Sequence, residues 1–285
     1  SFLMHINREC IFPDLTNLFT LIDLSGDIKP FLDKMTLKLD DLRKILNNTQ
    51  FPDIKIGKHC TKPYSCNFKD YCWSSIPEYS VFNIPGMYTS KKEQLFNTGI
   101  ISISDIPSDY TLKDKEKKFI DSYKIKSPII STKEIKSELA DLKYPLYFLD
   151  FETFGSAIPE FEGLHPYEQY PFQFSCHILD KNNKLFHKEY LHKYSTDPRE
   201  AVIKELIDTV NKKGTIIAYN ASFEKGVINK LSEQFPNYKS QLDSINRRFW
   251  DQLVIFRKFY TDYRFKGSNS IKSVLPVLVP NLKYS

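Results

Sequence analysis

Asp150 and Glu152 stand two residues apart in "YPLYFLDFETFG", at the end of an apolar run with the composition of a buried strand. Strand side chains alternate faces, so both carboxylates project from one face while Leu149 and Phe151 project from the other. Like charges at that spacing raise each other's pKa, and the pair is unfavourable unless water or a cation relieves it. A hard divalent ion such as Mg2+ or Mn2+ does so directly, taking carboxylate oxygens and keeping waters that phosphate oxygens can replace. Such a site needs further acids. Glu224, in "AYNASFEKGVI", lies just inside a helix that follows a short apolar strand. Asp251, in "RRFWDQLVIFRKFY", is the best remaining internal acid, with capping of the next helix as its competing role. Asn220 and Ser222 at the start of the Glu224 helix offer hydrogen bonds to a backbone phosphate; turn geometry competes for Asn220 and helix capping for Ser222.

The elements that must position these acids are legible from residue 138 onward. "LYFLDFET" and "FQFSCHIL" read as strands, and "KLFHKEYL" as an alternating third after the polar turn Lys181-Asn182-Asn183. "DPREAVIKELIDTVNKKG" reads as a helix: Asp197 is an N-cap, Pro198 takes the first position, Val202, Leu206 and Val210 share a face, and Gly214 stops it. "TIIAYN" follows as a buried strand and "SFEKGVINKLSEQF" as a helix ended by Pro236. Three strands, then helix, strand and helix, is the opening of the ribonuclease H-like fold, an α/β architecture with a mixed sheet flanked by helices.

Five cysteines occur, and Cys60, Cys66 and Cys72 fall in "KHCTKPYSCNFKDYCW" with five residues in each gap. Tetrahedral zinc sites prefer tighter pairs. Wider loops rich in aromatics suit an iron–sulfur cluster, whose thiolates arrive from several directions. Zinc and free thiols remain open, and the one upstream candidate for a fourth ligand is Cys10. Cys176 reads as a small buried hydrophobe. Residues 1–75 are expected to form a mainly helical unit ending in this cluster, with "TLKLDDLRKILNN" as a surface helix, and residues 76–137 a helical connector.

"FLDFET" followed by "AYNASFE" resembles the first two motifs of the DEDD 3′-to-5′ exonuclease superfamily, with Glu224 where that second motif commonly has Asp. A closer similarity is to an uncharacterised bacterial family carrying "YPLYFLDFETF", "AIP", "PY.Q.PFQ", "DPR", "YN..FEK" and "GS.SIK.VLP". Those stretches begin here at Tyr144, Ala157, Pro166, Asp197, Tyr219 and Gly267, so the resemblance spans roughly residues 50–285, and Glu at the second motif is usual in that family. The resemblance implies metal binding by Asp150, Glu152 and Glu224 and a two-metal hydrolysis with ions about 4 Å apart. It also implies a third-motif Asp with a preceding His or Tyr, expected downstream of Ser285, so that residues 138–285 would be an incomplete exonuclease domain. The cysteine segment is similar to the end of RecB-like nucleases that hold a [4Fe-4S] cluster.

Phe151, Phe154 and Tyr167 are candidates to stack on a terminal base, against core packing as the usual fate of Phe. Lys225, Arg247, Arg248 and Lys272 are candidates to follow a strand's phosphates; Lys272, in "SIK", has the best case. The net charge of +5 permits a nucleic-acid partner without requiring one. No apolar run reaches the roughly 18 residues of a membrane span, so a cytoplasmic location without membrane contact is expected. The expected function is metal-dependent 3′-to-5′ hydrolysis of nucleic acid, in particular single-stranded DNA or a 3′ end, in repair or defence. The alternatives are a catalytically inactive nucleic-acid-binding module and a zinc-stabilised interaction protein.

Overall fold

The computed structural model of the protein describes residues 1–50, 54–210 and 212–282. In chain order its elements are β1 (Phe2–Ile6), β2 (Phe19–Asp23), α1 (Ser25–Leu46), α2 (Lys69–Cys72), α3 (Thr89–Asn97), α4 (Asp114–Ile125), β3 (Ile129–Ile130), α5 (Thr132–Ala140) and β4 (Leu146–Phe154). There follow β5 (Tyr170–Leu179), β6 (Leu185–Leu191), α6 (Arg199–Val210), β7 (Thr215–Ala218), α7 (Ser222–Gln234), α8 (Lys239–Asn246), β8 (Phe249–Asp251), α9 (Leu253–Lys258), β9 (Tyr260–Thr261) and α10 (Ile271–Leu278). The chain forms two compact units, Ser1–Pro52 with Leu142–Asp251 and Asp53–Asp141 with Gln252–Ser285.

The first unit is built on a five-stranded mixed sheet in the order β6-β5-β4-β7-β8. The β6-β5-β4 strands are antiparallel, whereas β7 and β8 run parallel to β4. Alternation in the sequence of β4 decides its orientation. Tyr147, Leu149 and Phe151 enter a core with Phe174 and Cys176 of β5, Val202 and Leu206 of α6, and Val227, Ile228 and Leu231 of α7; Phe148, Asp150 and Glu152 stay exposed on the other face. A side chain of Leu or Phe size contributes about 1.5–3 kcal/mol when fully buried, so a one-residue slip that exchanged the faces would be strongly opposed. At Gly214 the chain turns from α6 into β7 at φ +96°, and an added Cβ would collide with the Pro145 carbonyl. Glycine is required there on both counts. Arg248 closes the same corner by donating to the carbonyls of Val210 and Lys213, at 3.2 and 2.6 Å.

Two expectations change at the N-terminus. The start is not helical: β1 and β2 pair as an antiparallel hairpin, Phe2 opposite Asp23 through Ile6 opposite Phe19, because Leu3, Met4 and Ile6 gain the apolar cross-strand partners Ile22, Leu21 and Phe19 there. The boundary near residue 75 is not followed either. Phe12 exchanges backbone hydrogen bonds with Gly163 and Leu164, each 3.0 Å, which joins the opening segment to the sheet unit. Helix α1 is exposed along nearly its whole length, as expected of a surface helix.

In the second unit, the residues expected to act as a connector carry a core of their own. Val81, Ile84, Leu95, Ile103, Phe119 and Ile120 are buried together, with Tyr79, Tyr123 and Tyr263 against them. The cysteine segment has one 3-10 turn, Lys58–Cys60, and the single helical turn α2; the rest is irregular. Among the described residues, no helix is long and apolar enough to cross a membrane.

Candidate active site

The carboxyl ends of β4, β7 and β8 point the same way because these strands are parallel, and all four candidate acids lie at that end of the sheet. Asp150 sits opposite Ser175 and Glu152 opposite Gln173 of β5, both acids exposed. The register shifts between Glu152 and Thr153. Such a bulge bends the strand and re-aims the side chains beside it. Asp251 is the last residue of β8, opposite Ala218 of β7. Glu224 lies in the first turn of α7, four residues after Asn220.

Glu224 is the unusual member. It is 5% exposed, and its Oε2 has no hydrogen-bond partner. Burial pushes its pKa up to about 7; its own backbone N–H draws it down in part, and the negative charges of Asp150 and Asp251 add to the rise. The helix N-terminus favours an anion, but by only about 0.3–1 kcal/mol, so desolvation wins. A buried acid with an orphaned oxygen, its pKa raised by burial and further by two neighbouring acids, is a candidate cation ligand. This donor chemistry fits a hard divalent ion. As the side chains stand, no three His, Cys, Asp or Glu residues among those described are gathered closely enough to share an ion. To share an ion with Glu224, the exposed Asp150 and Glu152 side chains would have to reorient.

Asp251 does not cap the helix that follows it; Gln252 holds that position. Its Oδ1 instead accepts the backbone N–H of Asn220 at 2.9 Å, tying β8 to the turn that delivers Glu224. Asn220 takes a left-handed conformation, φ +72°, the turn role open to Asn. Ser222 does not cap α7 either: Ala221 is the N-cap, and the Ser222 hydroxyl donates to Asn220 Oδ1 at 3.3 Å. The reason is register, since Ser222 is already the first helical residue.

Phe151 is in the core and is removed from the stacking candidates, whereas Phe154 and Tyr167 are 51% and 46% exposed. Arg248 is removed from the phosphate candidates, because carbonyls hold its guanidinium. Lys225 and Arg247 are exposed in the first unit, and Lys272 is exposed at the start of α10 in the second. Cys176 is fully buried and its thiol is pushed up to about 12 by that burial, in keeping with a core residue. Cys60 is buried, Cys66 and Cys72 are exposed, and the Cys66 N–H donates to the Cys60 carbonyl at 3.0 Å. Cys10 belongs to the sheet unit, where its buried thiol donates to the Asp14 carbonyl at 3.3 Å. Arg8, unmarked in the sequence, lies over the Tyr167 ring with its guanidinium carbon 5.3 Å from the centroid. No local motif marks it, since the pairing depends on where the opening segment docks.

Residues 147–270 match a family model described as a domain of unknown function (DUF2779), a stretch that includes Asp150, Glu152, Glu224 and Asp251. Comparisons with curated proteins and with solved structures gave no match.

Proposed function

We propose that the chain is a divalent-metal-dependent 3′-to-5′ exonuclease of ribonuclease H-like fold acting on single-stranded DNA ends. The observation that carries this reading is the orphaned, buried oxygen of Glu224 at the same sheet end as the exposed Asp150 and Glu152. The strand order, with an antiparallel β6-β5-β4 followed by parallel β7 and β8, supports the fold assignment. Bound Mg2+ or Mn2+ supplies a water of lowered pKa and neutralises charge on the leaving oxygen. The exposed Asp150 and Glu152 and the buried Glu224 would hold the ion, Glu224 giving up the proton it carries on its carboxyl near neutral pH, while Asp251 keeps the Asn220 turn in place. In the hydrolysis a water oxygen would bond to phosphorus as the P–O bond to the preceding nucleotide's 3′ oxygen breaks; that 3′ oxygen would take up one proton and solvent the other, releasing a nucleoside 5′-monophosphate.

The test is incubation of a 5′-labelled single strand with Mn2+. Stepwise shortening from the 3′ end is expected, abolished by EDTA and reduced at least about 100-fold by Asp150→Asn. Full activity in that variant would refute the assignment. A second reading, a nucleic-acid-binding module without catalysis, is favoured by the lack of three ready-placed ligands among the described residues; strand binding with no shortening would select it. Separately, Cys60, Cys66 and Cys72 are proposed as thiolate ligands of an iron–sulfur cluster, with zinc as the alternative. Cys10 is left out because its thiol is engaged in its own segment.

A further inference from the structure

Residues 155–169 leave β4 two residues after Glu152 and return to β5. Their ends are closed by the Phe154–Tyr170 pairing and by the Thr153 hydroxyl donating to Gln169 Oε1 at 2.8 Å. A compact loop with joined ends is a frequent carrier of function. Its frame is tightly fixed. The Tyr167 N–H donates to the Ser156 carbonyl at 2.7 Å, and Glu168 accepts from the His165 N–H and from Gln234, each at 3.0 Å. Arg199, 3% exposed, donates to the Glu162 carbonyl at 2.7 Å.

This rigid frame holds Tyr167 at φ +62°, a left-handed conformation that costs a bulky residue about 1–3 kcal/mol, and leaves its ring half exposed. The strain is not relieved by burying the ring. One face is covered by Arg8, delivered by the segment that hydrogen-bonds Gly163 and Leu164. Arg8 is exposed and has no hydrogen-bond or ion-pair partner among the described residues. Its guanidinium N–H groups are therefore free for a phosphate.

We propose that Arg8 and Tyr167 form a binding clamp for the end of a single DNA strand, Tyr167 stacking on a base and Arg8 taking the adjoining phosphate. The proposal rests on reading the carboxylates as a phosphodiesterase site, since the clamp stands on the loop that borders them. Gln169, fastened to Thr153 next to Glu152, is two residues from Tyr167, so the Tyr167 backbone stands within roughly 7 Å of chain from that anchor.

The test is fluorescence anisotropy of the full chain with a labelled single-stranded DNA of about 12 nucleotides, with Ca2+ in place of Mn2+ so that binding is read without hydrolysis. Tyr167→Ala is expected to weaken binding roughly 5- to 100-fold, as loss of one stacking contact does, and Tyr167→Phe to leave it unchanged. Arg8→Gln is expected to weaken binding and to lower the salt slope by about 0.7, the amount for one phosphate on a single strand. Thermal unfolding checks that the variants fold, and Tyr167→Phe with Arg8→Gln carries the test if Tyr167→Ala does not. Unchanged affinity in both Tyr167→Ala and Arg8→Gln overturns the clamp, as does a wild-type chain that binds no strand. Mn2+ binding, measured in parallel, separates the two readings. If the wild type binds Mn2+ and shortens strands while the clamp variants bind normally, only the clamp fails. If it binds no Mn2+ and the variants still weaken strand binding, the clamp stands and the phosphodiesterase reading fails.

Discussion

Replacing Glu224 by Gln removes a buried ionisation while keeping the shape of the side chain, and the structure gives the sign and size of the effect. In the metal-free chain the folded-state pKa is raised from 4.5 to about 7, chiefly by burial. The folded state therefore binds more protons than the unfolded state between those values, and stability falls as pH rises through that window. The whole shift corresponds to roughly 3 kcal/mol; screening of the part due to the exposed Asp150 reduces this to about 2 kcal/mol. Glu224→Gln lacks this cost. In EDTA the variant is expected to match the wild type near pH 4.5 and to exceed it by about 2 kcal/mol above pH 7, equivalent to roughly 4–8 °C in Tm for a chain of this size. Saturating Mn2+ is expected to reverse the order, because only the wild type gains a carboxylate–ion bond. Thermal and urea unfolding followed by circular dichroism, at several pH values with and without Mn2+, check this. A difference between variant and wild type that does not change with pH would rule out a buried ionisation at Glu224, and equal stabilisation of both by Mn2+ would rule out Glu224 as a ligand.

Arg248→Ala is expected to destabilise the chain by about 2–3 kcal/mol, because it strips the carbonyls of Val210 and Lys213 of a charged donor. Arg248→Lys should rescue little of it, since one ammonium cannot reproduce the planar fork, and DNA binding per folded molecule should not change. Gly214→Ala is expected to cost about 3 kcal/mol or more in urea unfolding, from the left-handed backbone and the collision with Pro145. Elemental analysis of protein purified without oxygen is expected to find iron, with absorbance near 400 nm, both lost when Cys60 and Cys66 are replaced by Ser; zinc instead would select the alternative, and neither metal would remove the cysteine proposal.

The sheet unit was legible because its signals are local. Alternation in "LYFLDFET" places Asp150 and Glu152 on one face, and Pro198 stands immediately before α6, although that helix ends at Val210 and Gly214 adjoins β7 instead. The nearness of Glu224 to Asp150 followed from strand and helix order, since parallel pairing of β4 with β7 brings the start of α7 to the carboxylate end. What failed depended on distant partners. Nothing near residue 12 reveals that it pairs with residues 163 and 164, which is what carries Arg8 to Tyr167, and the β1–β2 hairpin was missed because twelve residues separate its strands. Arg248 reads as a surface cation because the carbonyls that bind it are more than thirty residues away in sequence. The one-residue offset that makes Ala221 rather than Ser222 the N-cap lies below what capping preferences discriminate.

Asp150, Glu152 and Glu224 are proposed to hold a divalent ion together. Titration of the chain with Mn2+, followed by the electron paramagnetic resonance of the free ion, measures this directly at pH 7.5. Saturable binding at micromolar to low-millimolar Mn2+ is expected of the wild type, weakened at least about tenfold in Asp150→Asn and in Glu224→Gln and unchanged in Arg8→Gln. Equal Mn2+ binding by all four proteins, or none by the wild type, would contradict it.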